Sequence, residues 1–211
     1  LLSLICGLLT PDKGKIFLDG EEVKRPGAGG HIGYMLQKDH LFEWRTILSN
    51  ACLGPELSGS LTPKRKEEIA GMLSDYGLGS FLHSRPSELS GGMRQRAALI
   101  RTLAIKPDLL LLDEPFSALD YQTRLAVSDD ISTIIRSANK TAILVTHDLS
   151  EAISIADRVL VLTKRPGQVK AIVPIRFESE KYGTASPLER RNLPEFAGYF
   201  NQLWKEIQTH E

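Results

Sequence analysis

Residues 89–96 read LSGGMRQR, residues 109–115 read LLLLDEP and residues 117–120 read SALD. The four leucines predict a strand buried on both faces, as in a parallel sheet, with Asp113 and Glu114 at its carboxyl end. Two adjacent carboxylates in that position are able to hold Mg²⁺ and a water beside it. The glycine pair at 91–92 predicts the start of a helix, where backbone N–H groups and the helix dipole bind an anion. Together the motifs indicate a site for an anion and a metal ion.

The remainder of the chain alternates between predicted strands and helices. We expect strands at 32–36, 109–112, 141–145 and 159–162, with helices at about 123–137 and 149–156. Such alternation predicts an α/β fold with a parallel sheet covered by helices, and ligands at the carboxyl ends of the strands. Residues from about 46 to 104 look helical, with Thr62-Pro63 as a helix start. We therefore expect one domain over 1–211 with a helical subdomain at about 46–104.

The first 36 residues contain two glycine-rich turns. Asp19-Gly20 lies between short apolar runs and predicts a hairpin. The run at 27–30, Gly-Ala-Gly-Gly, is interpreted as a surface turn, because Ile32 occupies the third glycine position that a dinucleotide-binding loop requires. The opening residues, 1–9, predict the interior of a buried helix.

The composition limits the classes of partner. The 211 residues carry 26 basic and 26 acidic side chains, so no overall positive field attracts nucleic acid. Cys6 and Cys52 lie far apart in sequence and form no metal-binding pair, which suits two small buried side chains. No apolar run approaches the roughly 18 residues that span a bilayer.

The order of these motifs resembles that in the ATPase subunits of ABC transporters. In that family the glycine motif is the signature motif, so Ser90, Gly91 and Gly92 are expected to contact ATP held by a second subunit. The acidic strand end is the Walker B motif. The resemblance implies that Asp113 binds Mg²⁺, usually through water, and that Glu114 polarises the attacking water.

Three further residues match motifs of this family. Gln37 matches the glutamine that touches Mg²⁺ or the attacking water, and His147 matches the switch histidine at the γ-phosphate. Asp120 matches the residue that links the two sites of a dimer. Without the family, Gln37 is an ordinary loop residue, His147 a structural histidine and Asp120 a helix N-cap.

Two segments resemble the nitrate, sulfonate and taurine importers. Residues 41–46, LFEWRT, correspond to the region where a helix of the membrane subunit docks, although Glu43 replaces a common proline. For Phe42, burial in the core of the domain is an equally weighted alternative to a role in docking. Residues 186–211 predict an amphipathic helix whose apolar face, with Phe196, Phe200 and Trp204, is buried against the domain or, second, in a partner groove.

The resemblance implies a head-to-tail dimer with two ATP sites, bound to membrane-spanning permease subunits at the cytoplasmic face of the membrane. A substrate-binding protein would act through the permease, and no nucleic acid is expected. The alternatives are a soluble, non-transport ABC-type ATPase, a degenerate non-hydrolysing interaction module, and an exporter.

One expected motif is missing. No G-x-x-x-x-G-K-[S/T] phosphate loop, or Walker A motif, occurs in the sequence. In relatives this loop precedes the segment corresponding to Leu1, so we expect the chain to lack its N-terminal strands and phosphate loop. The 211 residues alone are therefore predicted to be inactive, whereas the longer parent is predicted to be an ATPase.

Overall fold

A computed structural model describes residues 1–24, 32–178 and 185–208. The chain divides into two compact units, Leu1–Val145 and Thr146–Glu211. The turn predicted at residues 27–30 lies outside the described residues.

The first unit is built on a parallel sheet of three strands. These strands, in spatial order, are β3 (Ile32–Met35), β4 (Leu109–Asp113) and β5 (Thr141–Val145). Leu111 of β4 lies opposite Tyr34 and Ile143, and it packs against Leu2 of the short helix α1 (Leu2–Ile5). Leu110 and Leu111 are fully buried, as expected for strands of a parallel sheet covered on both faces. The predicted α/β fold with a parallel sheet is confirmed.

The described part of the first unit contains five further helices. They are α2 (Ile47–Ala51), α3 (Leu53–Leu57), α4 (Pro63–Asp75), α5 (Gly91–Leu103) and α6 (Tyr121–Ser137). Short 3₁₀ turns occupy Gly79–Phe81 and Pro86–Glu88. Helix α5 approaches β3 so closely that a Cβ on Gly33 would lie 2.7 Å from Cγ2 of Thr102. The strand therefore needs glycine at this position.

Helix ends in this unit follow their capping residues. Thr62 accepts a hydrogen bond from the N–H of Arg65 at the start of α4, which confirms the predicted Thr62-Pro63 start. Gly77, with φ +77°, follows the end of α4. Helix α6 begins two residues earlier than expected from the sequence.

The predicted hairpin at Asp19-Gly20 is present. Strands β1 (Phe17–Leu18) and β2 (Glu21–Glu22) pair antiparallel, with Phe17 opposite Glu22. Asp19 and Gly20 both have positive φ, at 49° and 85°. Positive φ at both central residues matches the right-handed twist of the two strands.

The second unit contains an antiparallel sheet, which corrects the prediction for its strand. Helix α7 (Leu149–Ile155) leads to β6 (Arg158–Leu162), and β6 pairs antiparallel with β7 (Val169–Pro174). We expected residues 159–162 to join the parallel sheet and did not predict β7. Only residues 163–168 connect these strands, and a connection this short makes a hairpin, because parallel strands need a long crossover.

The tail forms two helices in place of the one predicted. Helix α8 (Pro187–Arg191) ends at Asn192, and α9 (Pro194–Gln208) begins at a proline, which favours the first position of a helix. Leu203 is buried in the core of this unit, and Phe196 and Phe200 pack against that core. Trp204 and Ile207 stay 47% and 44% exposed, so the predicted burial holds for only part of the apolar face.

None of the helices in the described parts of the chain is long and apolar enough to cross a membrane.

Candidate active site

The carboxyl end of β4 places two carboxylates next to a strained backbone. Asp113 is the last residue of β4, and Glu114 follows it with φ +43°, a left-handed conformation that is unfavourable for a residue with a side chain. The N–H of Glu114 donates to the carbonyl of Val145 at 2.9 Å, which holds this conformation. Strain of this kind concentrates at functional sites.

Gln37 and Glu114 are brought together at this end of the sheet. The Gln37 amide Nε2 lies 3.3 Å from Oε2 of Glu114 and 3.5 Å from Oγ of Ser117. The Ser117 hydroxyl in turn donates to the carbonyl of Glu114 at 3.0 Å. Gln37 follows β3, and β3 and β4 are parallel neighbours, so their carboxyl ends meet. Ser117 was not predicted as part of the site; its position three residues after Glu114 was the only signal.

Tyr34 is a second residue that sequence reasoning missed. Its hydroxyl donates to Oδ2 of Asp113 at 3.3 Å. Burial is the largest cause and raises the pKa of Tyr34; a hydrogen bond with Ser3 lowers it by less, and the charge of Asp113 and the hydrogen bond to it raise it further. The phenol therefore keeps its proton at neutral pH and remains a donor to Asp113. The signal was its place on the strand beside β4, three residues before Gln37.

The glycine motif begins α5 as predicted. Ser90 is the N-cap, and its Oγ accepts a hydrogen bond from the N–H of Met93 at 3.4 Å. Ser90 and Gly91 are exposed, so this helix start faces solvent. Gly92 is buried against α6, where an added Cβ would lie 2.8 Å from Cγ2 of Val127. Packing of α5 on α6 is thus a reason for glycine at 92 that the sequence did not reveal.

Asp120 caps helix α6. Its Oδ1 accepts a hydrogen bond from the N–H of Thr123 at 3.1 Å, which confirms the N-cap interpretation. Hydrogen bonds from the Thr123 hydroxyl and then from its N–H lower the pKa of the exposed Asp120 carboxyl. The role in communication between two sites stays a prediction.

His147 lies in the second unit, in the connection between β5 and α7, with an exposed side chain. The residues on both sides of it are fixed. Thr146 Oγ1 donates to Oε2 of Glu151 at 2.5 Å and accepts the N–H of Asp148 at 3.0 Å. Asp148 then caps α7 by accepting the N–H of Ser150 at 2.7 Å. The connection is therefore well braced, and the role of His147 stays a prediction.

The aromatic segment at 41–46 is partly exposed. The rings of Phe42 and Trp44 stack with centroids 4.7 Å apart. Trp44 is 72% exposed, whereas Phe42 is half-buried, between the two alternatives that the sequence left open. An exposed, stacked tryptophan gives this segment a rigid apolar surface.

A protein-family model described as ABC transporter matches residues 1–117, more than half of the chain. The chain belongs to the ABC transporter family. An uncharacterized ABC transporter ATP-binding protein of Bacillus subtilis, YtlC, is 43% identical over 100% of this chain and 79% of its own length. The taurine import ATP-binding protein TauB of Yersinia pestis is 40% identical over 100% of this chain and 82% of its own.

A solved structure of an ATP-binding cassette has a similar fold. The ATP-binding cassette MJ0796, described as a dimer in a post-hydrolysis state bound to ADP and Pi, is 26% identical, with a TM-score of 0.65. The similarity covers 83% of this chain and 79% of that one. The chain is therefore an ATP-binding subunit of the ABC family, with the P-loop NTPase-like fold of its ATPases, and this family hydrolyses ATP.

Proposed function

We propose that this chain is the ATP-hydrolysing part of an importer for a taurine-like solute, in the nitrate, sulfonate and taurine group. The observation that carries the proposal is the contact between Gln37 and Glu114 at the carboxyl end of β4. The 40% identity to a taurine import ATP-binding protein over the whole chain supports the importer role.

In this proposal Glu114 polarises the water that attacks the γ-phosphate of ATP. Gln37 holds the Glu114 carboxylate in place from the neighbouring strand. Asp113 and the amide oxygen of Gln37 are hard oxygen donors of the kind that Mg²⁺ prefers, so the residues present fit this ion. Mg²⁺ would neutralise charge on the phosphates, and Tyr34 would hold Asp113 by its hydrogen bond.

A second copy would complete the site. We propose that Ser90, Gly91 and Gly92 of one subunit contact ATP held by the other in a head-to-tail dimer. The exposed start of α5 supports this, and the similar solved structure is a dimer. Asp120 would link the two sites, and His147 would contact the γ-phosphate.

The proposed partners are membrane-spanning permease subunits, with a substrate-binding protein acting through them. The exposed Trp44 gives the permease an apolar docking surface. The subunit would then sit peripherally at the cytoplasmic face of the membrane, without nucleic acid.

We also propose that 1–211 is a single ATPase domain without its N-terminal strands and phosphate loop. YtlC and TauB each match this chain over its whole length, which supports one domain. The match covers 79% and 82% of these relatives, so both are longer than this chain. No phosphate-loop motif occurs in the sequence. The longer protein, meaning this chain preceded by such a loop, would then hydrolyse ATP, and residues 1–211 alone would not.

The first test measures ATP hydrolysis by the longer protein and by residues 1–211. The second measures uptake of labelled taurine, an alkanesulfonate and nitrate by source cells that lack the gene. We expect the longer protein to hydrolyse ATP and residues 1–211 not to do so. We also expect the cells that lack the gene to lose uptake of one of the three solutes. Hydrolysis without any uptake defect would favour a non-transport ATPase. Absence of hydrolysis and ATP binding in the longer protein would favour an interaction module.

A further inference from the structure

Two arginines on one face of α5 hold the loop that follows Gln37. The guanidinium of Arg94 forms two bonds to Asp39, with Nε at 2.9 Å from Oδ2 and Nη2 at 3.2 Å from Oδ1. Its Nη2 also lies 2.9 Å from Oε1 of Glu43. Paired bonds between a guanidinium and a carboxylate fix direction as well as distance.

Arg101 lies two helical turns after Arg94 and binds the backbone of the same loop. Its Nη1 donates to the carbonyl of His40 at 2.6 Å, and its Nη2 donates to the carbonyl of Asp39 at 2.6 Å. His40 has φ +45°, which is unfavourable for histidine. The arginine therefore stabilises a backbone conformation that the loop would not favour by itself.

The pair between Arg94 and Asp39 is partly shielded from solvent. The exposed fractions of the two side chains are 26% and 19%. Burial alone would raise the pKa of Asp39, but hydrogen bonds from Arg94 and from the Leu41 N–H, with the charges of Arg94 and Arg101, lower it overall. A partly buried pair with two hydrogen bonds is held more firmly than a single-contact, solvent-exposed surface pair.

The loop connects two parts of the proposed site. It begins one residue after Gln37, which contacts Glu114, and it is fastened to the helix that begins with the glycine motif. Because Asp39 is only two residues from Gln37, the place of Asp39 restricts where the Gln37 amide lies.

We propose that Arg94 and Arg101 are positioning residues that fasten residues 38–43 to α5 and thereby hold Gln37 against Glu114. This inference rests on the proposed function of that site. It predicts that the loop after β3 and the start of α5 keep one fixed relation through the ATPase cycle. Arg94 and Arg101 act on Gln37 through the loop.

The test combines hydrogen exchange with kinetics in the longer protein. In Arg94→Gln and Asp39→Asn, exchange of amides in 38–45 should rise about 10-fold or more, while exchange in β4 stays unchanged. The kcat for ATP should fall on the order of 10-fold to 100-fold with little change in KM, because a displaced Gln37 affects the chemical step. The kcat of the double variant, Arg94→Gln with Asp39→Asn, should be no lower than that of the slower single variant, because both changes break the same interaction.

Matched variants separate positioning from general destabilisation. Glu68→Gln removes an acid from the Arg65–Glu68 ion pair of α4, 2.6 Å in length, and should leave kcat unchanged. Arg94→Lys keeps the charge but loses the paired geometry, so its kcat should fall between the wild type and Arg94→Gln. This variant is informative even if Arg94→Gln does not fold.

Three results would overturn the inference: unchanged exchange at 38–45, raised exchange with unchanged kcat, or an effect on KM alone. A failure of the proposed function would look different. In that case Glu114→Gln would hydrolyse ATP normally, while exchange at 38–45 would still respond to Arg94.

Discussion

The carboxyl end of β4 and the start of α5 are built in opposite ways. At β4, Glu114 sits in a strained backbone conformation, and its carboxylate meets the Gln37 amide. At α5, the chain offers an exposed helix start with Ser90 as cap and two residues without side chains. One region presents side-chain chemistry, and the other presents backbone.

This difference predicts two kinds of response to mutation. Small chemical changes at β4 should alter the rate of hydrolysis and leave folding intact. Added side-chain volume at α5 should alter packing first, because Gly92 lies against Val127.

Replacing Glu114 by Gln keeps the shape of the side chain but removes its charge. We expect kcat of the longer protein to fall about 10²–10⁴-fold, with ATP binding retained, because the residue no longer polarises water. Steady-state hydrolysis and equilibrium nucleotide binding provide the measurement. Near-normal turnover would remove Glu114 from the proposed role.

Replacing Gly92 by Ala should destabilise the fold by about 1–3 kcal/mol, because the new Cβ would lie 2.8 Å from Cγ2 of Val127. Urea unfolding provides the measurement. Adding Val127→Ala removes the obstructing methyl groups and should recover part of the loss. If the single variant is as stable as the wild type, the packing explanation for this glycine is wrong.

Because of the Asp39 carboxyl, the free energy of unfolding should decrease as the pH falls into the acid range. Its pKa is lower in the folded state than the ordinary value, so its stabilisation is complete above about pH 4–5 and is lost as pH falls through the folded value. The difference in unfolding free energy between wild type and Asp39→Asn should therefore shrink in acid. Urea unfolding from pH 7 to pH 3 measures it, and a constant difference would contradict the assignment.

The smallest effect is expected at Asp120. Asp120→Ala removes the cap of α6 and should lower the thermal midpoint slightly, whereas Asp120→Asn keeps an acceptor and should preserve it. Hydrolysis measured in the same two variants tests the proposed link between sites. If Asp120→Asn keeps the thermal midpoint but hydrolyses ATP more slowly than the wild type, the charge of Asp120 has a role beyond capping. If its rate of hydrolysis equals that of the wild type, capping is the role that remains.

Much of the fold was predictable because local patterns and final environment agree. The four leucines predicted β4, and Thr62-Pro63 predicted the start of α4. The family resemblance assigned Gln37 and Glu114 to the same attacking water, and in the structure Nε2 of Gln37 lies 3.3 Å from Oε2 of Glu114.

The missed features depend on contacts between distant residues. Strand β6 has the same local pattern in a parallel or an antiparallel sheet, and only its pairing with β7 decides between them. Nothing local to Arg94 shows that it binds Asp39, 55 residues earlier. The packing of Gly92 on Val127 is hidden for the same reason.

The most direct test of a site shared by two copies is to mix two inactive variants of the longer protein. Glu114→Gln lacks the catalytic carboxylate, and Gly91→Glu places a charge at the exposed start of α5. A mixed dimer would contain one intact site, so an equimolar mixture should recover up to about a quarter of wild-type hydrolysis. Activity no higher than that of the separate variants would contradict the account.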